Sequence, residues 1–297
     1  MNHFSFELSL VAVIPAVILC GYVFYKDRIE REPIGLLALL FGAGAVGYLP
    51  VCLLQDLIVQ GIDALFKNSI TFSAEGTIVY GSVGVELAHL SLVSFIGLSL
   101  IQIIVKWCLL FFITHKNKNF NYLFDGIVYS TFLSLGFALA ENLHFALQNS
   151  PELLGAKLLT SVPFHLFVGI LMGYYYTMWH VRFTANKIEN RMLKEGIVKE
   201  DKVRSSAVWL AASLLIPLAI NGIYLLAGSG RYDTVTFVFY FAVILLYGIS
   251  FLVVGRMSSK DCSSERYLCQ IISKGHPDLS IEQIKSIADA VAEGEGK

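Results

Sequence analysis

Charged residues are scarce in this sequence. Only 15% of its 297 residues are Asp, Glu, Lys or Arg, whereas 56% are hydrophobic. This composition excludes an ordinary soluble domain and is typical of a protein that crosses a membrane several times. The predicted fold class is therefore all-α, a polytopic transmembrane helical bundle with a short helical tail.

Cysteines are also few, and Lys and Arg do not occur in residues 1–9. The five cysteines are scattered and lack the spacing of a zinc site, so they predict no disulfide framework. Residues 1–9 lack the basic segment that opens a cleaved signal peptide, and we expect the first apolar segment to stay as a membrane anchor.

Long apolar runs recur about seven times, and each is long enough to cross a bilayer as a helix. Lys and Arg concentrate in alternate connections, which predicts an N-terminus outside the cell membrane and a cytoplasmic C-terminus. We expect a transmembrane domain over residues 1–255 and a cytoplasmic tail over 256–297, where Ser280 and Gln283 form a capping box before a short amphipathic helix. The predicted spans are 6–25, 34–55, 87–114, 123–147, 153–179, 206–227 and 234–255.

Several spans carry polar residues at a depth where lipid cannot solvate them. Glu141 lies well inside the fourth span, where a carboxylate costs about 2.5–3.5 kcal/mol and needs a partner or a function. Gln102 and Lys106 lie in the third span, His165 in the fifth and Asn221 in the sixth. Lys106 could snorkel toward the cytoplasm. We expect the other four side chains to meet in one polar pocket inside the bundle.

Shorter patterns in the spans point to packing rather than to chemistry. Gly42–Gly47 matches the dinucleotide pattern G-x-G-x-x-G, but no strand precedes it and it lies mid-membrane, so it indicates close approach of another helix. Gly169 and Gly173 indicate the same. Glu86 and His89 are one turn apart and could ligate a metal, but they lie near the outer boundary, where water reaches, and we do not favour that reading.

Four segments occur in an order and spacing that resemble the PrsW family. This family consists of bacterial intramembrane proteases in the same superfamily as the CAAX-processing (Abi) proteases. The resemblance covers about residues 20 to 227 and implies a peptidase that cleaves a membrane-anchored protein, for example an anti-sigma factor, near the outer side. The segments are D-R-x-E-x-E-P at Asp27–Pro33, D-G-I-V-Y at Asp125–Tyr129, F-x-x-x-E-N at Phe137–Asn142, and His165 with Gly169.

The resemblance implies four polar motifs, of which two are intact here, at Glu141 and His165. The first family motif is Glu-Glu-x-x-Lys, whose leading glutamate is thought to activate the attacking water. In this sequence Gln102 and Ile103 replace both glutamates, although Lys106 is kept. The fourth motif supplies a histidine, and Asn221 stands in its place.

These replacements leave two functions open. A neutral amide is not a base near pH 7, so Gln102 cannot be the general base. In a peptidase, Glu141 would take that role, His165 would orient the water or protonate the leaving amine, and Asn221 or Lys106 would stabilise the oxyanion. The alternative is a catalytically impaired relative that acts as a membrane scaffold or binding module.

The expected partners follow from these two functions. One carboxylate and one histidine are too few ligands for zinc, so we expect no metal and no other cofactor. We expect the lipid bilayer and a single-span membrane protein substrate as partners, and no nucleic acid.

Overall fold

In the computed structural model the chain folds as a bundle of long helices. The structure describes residues 6–73, 78–148, 151–200, 203, 205–228 and 233–295. The elements are α1 (Phe6–Lys26), α2 (Ile34–Phe66), β1 (Ile70–Phe72), β2 (Ile78–Tyr80), α3 (Val83–Leu92), α4 (Ile101–Thr114), α5 (Asp125–Gln148), α6 (Pro151–Lys194), α7 (Ala207–Gly228), α8 (Asp233–Ser259), α9 (Ser264–Gly275) and α10 (Ile281–Glu295).

Each of the predicted spans coincides with a helix, and the predicted all-α membrane fold is confirmed. Within the described residues, six helical segments are long and apolar enough to cross a membrane. Within α1, the apolar helical segment Val13–Lys26 is shorter than a full span. The longest of the described helices is α6, with 44 residues, and it continues well past residue 179, where the predicted span ends.

Helix α5 lies at the centre of the bundle. Every residue from Asp125 to Thr131 is buried. These residues make about two helical turns, so α5 has neighbours on all of its faces there. Its neighbours are mainly α6 and α2, with α1 beside them. The central position explains why α5 holds the polar residues that lipid would not tolerate.

The centre is tight because glycines let helix backbones approach each other. A Cβ atom added to Gly44 of α2 would overlap the Leu133 carbonyl of α5, and one added to Gly173 of α6 would overlap the Gly126 carbonyl. These contacts confirm the packing role predicted for both glycine patterns.

The third span, Val83–Thr114, is not a uniform helix. Its middle, Val93–Leu100, is π-helical and joins α3 to α4. Neighbouring helices bind to this segment: the Gln55 side chain donates to the Leu98 carbonyl at 2.9 Å, and Ser99 donates to the Leu218 carbonyl at 3.0 Å. A π segment changes the direction of the side chains that follow it and is frequent at functional sites.

The hairpin of β1 and β2 marks one end of the bundle, which we call the hairpin end. Ile70 pairs with Tyr80 across the two strands. His89 of α3 lies beneath them, with its Nε2 2.7 Å from Asp63 Oδ1 and its Nδ1 3.0 Å from the Tyr80 hydroxyl. His89 therefore ties the hairpin to α2. Within the described residues no group of three or more metal-ligating side chains occurs.

The opposite end, which we call the tail end, carries α9 and α10. Ser280 and Gln283 exchange two hydrogen bonds, of 2.9 and 3.2 Å, and so form the predicted capping box of α10. Helix α9 lies outside the predicted helices. The two tail helices pack on the part of α6 beyond its predicted span, through a second apolar core that includes Ala185, Ile188, Met192, Leu268, Ile272 and Ile284.

Candidate functional site

Four side chains from three helices form a hydrogen-bonded row inside the bundle. Lys157 and His165, both on α6, hold the Glu141 carboxylate of α5: Lys157 Nζ lies 2.5 Å from Oε1, and His165 Nε2 lies 3.1 Å from Oε2. Lys106 Nζ of α4 lies 2.9 Å from the other ring nitrogen, His165 Nδ1. We call Lys157, Glu141, His165 and Lys106 the ion chain.

Helix geometry explains why these residues meet. Lys157 and His165 are eight residues apart, just over two turns, and therefore lie on one face of α6. Phe137 and Glu141 are one turn apart on α5, so both can face the same neighbours. The Lys106 ammonium lies 4.2 Å from the centre of the Phe137 ring, where a cation is attracted to the π electrons.

With Lys106 as an ammonium, the contacts assign the protons of the row. An ammonium has only donors, so Lys106 donates and His165 Nδ1 accepts. A neutral imidazole then carries its proton on Nε2, from which it donates to the Glu141 carboxylate. Both ring nitrogens of His165 are therefore engaged, while each Glu141 oxygen keeps a second lone pair for another donor.

The ion chain is largely shielded from its surroundings. Lys106 is 1% exposed and His165 is 4% exposed, whereas the Glu141 and Lys157 side chains are 14% and 24% exposed. Lys106 does not snorkel, although its depth would allow it, because the histidine and the aromatic ring offer it partners inside the bundle. The open part of the site is thus at Glu141 and Lys157.

The two amide residues form a separate pair. Asn221 Nδ2 of α7 donates to Gln102 Oε1 of α4 at 3.2 Å, and both residues are buried. Gln102 lies one turn before Lys106 on α4. The structure therefore brings the five residues singled out from the sequence into two hydrogen-bonded groups, the amide pair and the ion chain, which share α4.

Lys157 is the partner of Glu141 that the sequence prediction missed. It falls within the predicted span 153–179 and lies on α6, but the prediction of a span does not indicate its contact with Glu141. Its spacing from His165 is a signal that could have revealed it. Tyr224 of α7 is a further neighbour, within electrostatic range of both Lys157 and Glu141, with its ring stacked on Phe164 at 3.7 Å.

A second group of acids lies far from the ion chain, at the tail end. The Glu32 carboxylate accepts a hydrogen bond from the Tyr129 hydroxyl at 2.6 Å, and Asp27 accepts one from the Glu32 backbone N–H at 3.0 Å. Burial raises the pKa of Glu32 to about 7 against the lowering effect of the Tyr129 hydrogen bond, and it raises the pKa of Asp261 to about 6. These contacts tie the first connection to the start of α5.

Comparisons with known proteins agree on one family. Residues 32–249 match the family described as "PrsW family intramembrane metalloprotease". The chain is 28% identical to Protease PrsW of Geobacillus kaustophilus over 74% of the chain and 78% of that protein. It is 29% identical to Protease PrsW of Clostridioides difficile over 82% of the chain and 88% of that protein. It is 24% identical to Protease PrsW of Bacillus subtilis over 74% of the chain and 81% of that protein. No solved structure matches the chain.

The description of that family names a metalloprotease, but the side chains of the ion chain do not fit a metal ion. A catalytic zinc normally has three protein ligands, and the row supplies one carboxylate and one imidazole. Lys157 already occupies one Glu141 oxygen, and Lys106 occupies the free lone pair of His165. Two ammonium groups in contact with both possible ligands would also repel a cation.

Proposed function

The chain belongs to the PrsW family of intramembrane metalloproteases and is a multi-pass membrane protein, and on that premise we propose that it cleaves a single-span, membrane-anchored protein within the bilayer. We further propose that the N-terminus lies outside the cell membrane and the tail in the cytoplasm. The observation that supports peptidase activity best is the buried Glu141–His165 contact of 3.1 Å between α5 and α6.

Glu141 is the proposed general base. It removes a proton from a water molecule as the water oxygen attacks the scissile carbonyl carbon. His165, held by Lys106 in the form that carries its proton on Nε2, orients the carboxylate by donating to Oε2. His165 is therefore a positioning residue here, and it does not exchange its own proton.

The oxyanion and the leaving group need donors of their own. Asn221 uses one of its two N–H groups on Gln102, which leaves the second for the oxyanion. The Lys157 ammonium has two further N–H groups beyond the one directed at Glu141, and it is the most exposed member of the ion chain. As the C–N bond breaks, Glu141 returns the proton it took from water to the amine nitrogen, so the protons balance.

Replacing Glu141 by Gln tests this assignment. The amide cannot take a proton, so we expect cleavage of a single-span substrate by the purified protein to slow by about 10²–10⁴-fold. The matched control is Glu86→Gln, a carboxylate at the hairpin end outside the ion chain, which should leave the rate unchanged. Circular dichroism and size-exclusion chromatography show whether each variant is folded. A folded Glu141→Gln protein that cleaves at the wild-type rate would exclude Glu141 as the base.

The amide pair supports a second candidate function, that of a catalytically impaired relative acting as a scaffold or binding module. Gln102 stands at the position where the family motif has its leading glutamate, and Asn221 holds it in a neutral pair. Gln102→Glu changes little in volume and restores a base beside the ion chain. Ile103 is only 1% exposed, so Ile103→Glu would add a buried charge and is tested only in a second step.

Restoring the glutamate separates the two candidates. For the peptidase we expect Gln102→Glu to raise the cleavage rate by about 10²-fold or more. If the protein is a scaffold, we expect no cleavage by the wild type, by Gln102→Glu or by the double variant that also carries Ile103→Glu. An active relative that cuts the same substrate in a parallel assay is the positive control.

A further inference from the structure

A cavity of about 290 Å³ with a mixed polar and apolar lining, which includes Val203 and Ile271, lies at the tail end beside α6 and α9. Arg182 lines it from α6, and Tyr267, Gln270 and Lys274 line it from α9. We call it the α6–α9 pocket. Its lining includes two basic side chains and no carboxylate, so it is electropositive and far from the ion chain.

The basic side chains of the pocket have no acidic partner among the residues that the structure describes. Within the described residues, neither Arg182 nor Lys274 forms an ion pair, and the Arg182 Nε–H is buried without an acceptor. One acid of each of the two helices is engaged elsewhere: Glu189 of α6 binds His276, and Glu265 of α9 binds Lys285 at 2.7 Å. A buried donor without an acceptor costs free energy, which an anionic ligand would recover.

Aromatic residues lie beside the pocket. The Arg182 guanidinium lies over the Trp209 ring, 5.0 Å from its centre, and Trp209 is the third residue of α7. Arg182 and Tyr267 also interact electrostatically with Tyr174, which lies about two turns before Arg182 on α6. Trp and Tyr are typical of the headgroup level, where their rings meet lipid and their polar atoms meet water.

We propose that the α6–α9 pocket binds the phosphate of an anionic lipid headgroup. Arg182 supplies planar donors that match phosphate oxygens, Lys274 supplies a second positive charge, and the Tyr267 hydroxyl and Gln270 amide supply neutral donors. A basic pocket at the end of membrane helices suits such a headgroup. The proposed site is independent of the peptidase proposal, because it shares no residue with the ion chain or the amide pair.

Native mass spectrometry of the purified full chain tests the site. Phosphatidylglycerol and phosphatidylcholine are added in parallel, and we expect at least fivefold stronger retention of the anionic lipid. Arg182→Gln and Lys274→Gln each remove one charge and should each weaken phosphatidylglycerol binding roughly fivefold, and the double variant roughly thirtyfold. Arg182→Lys keeps the charge but loses the planar donors, so it should weaken binding less than Arg182→Gln.

The control is Lys260→Gln, which removes an exposed positive charge at the same end outside the pocket and should leave binding unchanged. Equal loss in Lys260→Gln and Arg182→Gln, or equal retention of the two lipids by the wild type, would overturn the proposal. Inorganic phosphate at millimolar concentration is the third arm. Displacement of the lipid by phosphate alone would reassign the pocket to a soluble phosphate compound, whereas failure to displace it supports the lipid.

Discussion

Each oxygen of the Glu141 carboxylate has its own donor, Lys157 on one side and His165 on the other. A lone carboxylate at this depth would be strongly unfavourable, and the two donors are what make it tolerable. Lys157 is therefore expected to matter for stability as well as for chemistry.

Lys157→Met leaves the Glu141 charge with one donor fewer in a mostly buried site. We expect it to lower the free energy of unfolding by roughly 1–3 kcal/mol, between the values for surface pairs and for fully buried pairs. Thermal unfolding in detergent measures the change, and Lys67→Met, which removes an exposed lysine at the same end, is the matched control. The double variant Lys157→Met with Glu141→Gln should recover part of the loss, and simple additivity of the two losses would contradict a direct pair.

Much of the site at the residue scale could be predicted from the sequence. Depth along the spans predicts that Gln102, Glu141, His165 and Asn221 face the bundle interior, because polar residues at one depth avoid lipid by facing one another. The structure places them in two separate pairs, Glu141 with His165 and Asn221 with Gln102. Depth does not determine which pairs form. The sequence could not show that Asn221 would bind Gln102, or that the long Lys157 side chain would extend to Glu141 from the first turns of α6.

At the scale of elements, α2 and α5 approach each other through Gly44, where a Cβ atom would overlap the Leu133 carbonyl. Gly44→Ala should therefore force the helices apart and cost about 1–3 kcal/mol of unfolding free energy. Gly42→Ala on the same helix is the matched control, because nothing lies within 4 Å of its added Cβ, and it should be neutral or slightly stabilising. Equal unfolding temperatures for the two variants would contradict the close approach.

The helices themselves follow from the apolar runs, but two of their features do not. The π-helical segment Val93–Leu100 has the same apolar composition as an α-helix, so hydropathy cannot distinguish the two. The extension of α6 to Lys194 is amphipathic and packs on α9 and α10, a tertiary contact that is invisible in a search for membrane spans.

At the scale of the whole molecule, the tail end holds the first connection, the start of α5 and the end of α8 together. Ser258 donates to the Lys26 carbonyl, and the Leu123 backbone N–H donates to the Cys262 carbonyl at 3.1 Å. Glu32 lies in this junction with a raised pKa of about 7, against an ordinary value of 4.5. The junction therefore connects protonation to the stability of the fold.

The sign of the pH dependence follows from that shift. Between about pH 5 and 7 the folded protein retains a proton on Glu32 that the unfolded chain has released, so stability falls as the pH rises through this window. Glu32→Gln keeps an oxygen acceptor for Tyr129 and cannot ionise. We expect its thermal midpoint to fall less than that of the wild type between pH 5 and pH 7, and the same slope in both proteins would contradict the prediction.

The central claim is that the ion chain is the site of peptide cleavage, and the position of the cut bond tests this claim most directly. Glu141 lies 16 residues beyond Asp125 along α5, roughly 24 Å from the tail end. If the tail lies in the cytoplasm, as proposed above, a single-span substrate should be cut in the outer half of its span, and the masses of the two products identify the bond. We predict products from that half with the wild type and none with Glu141→Gln. A cut in the inner half or outside the span, or the same products from Glu141→Gln, would contradict the account.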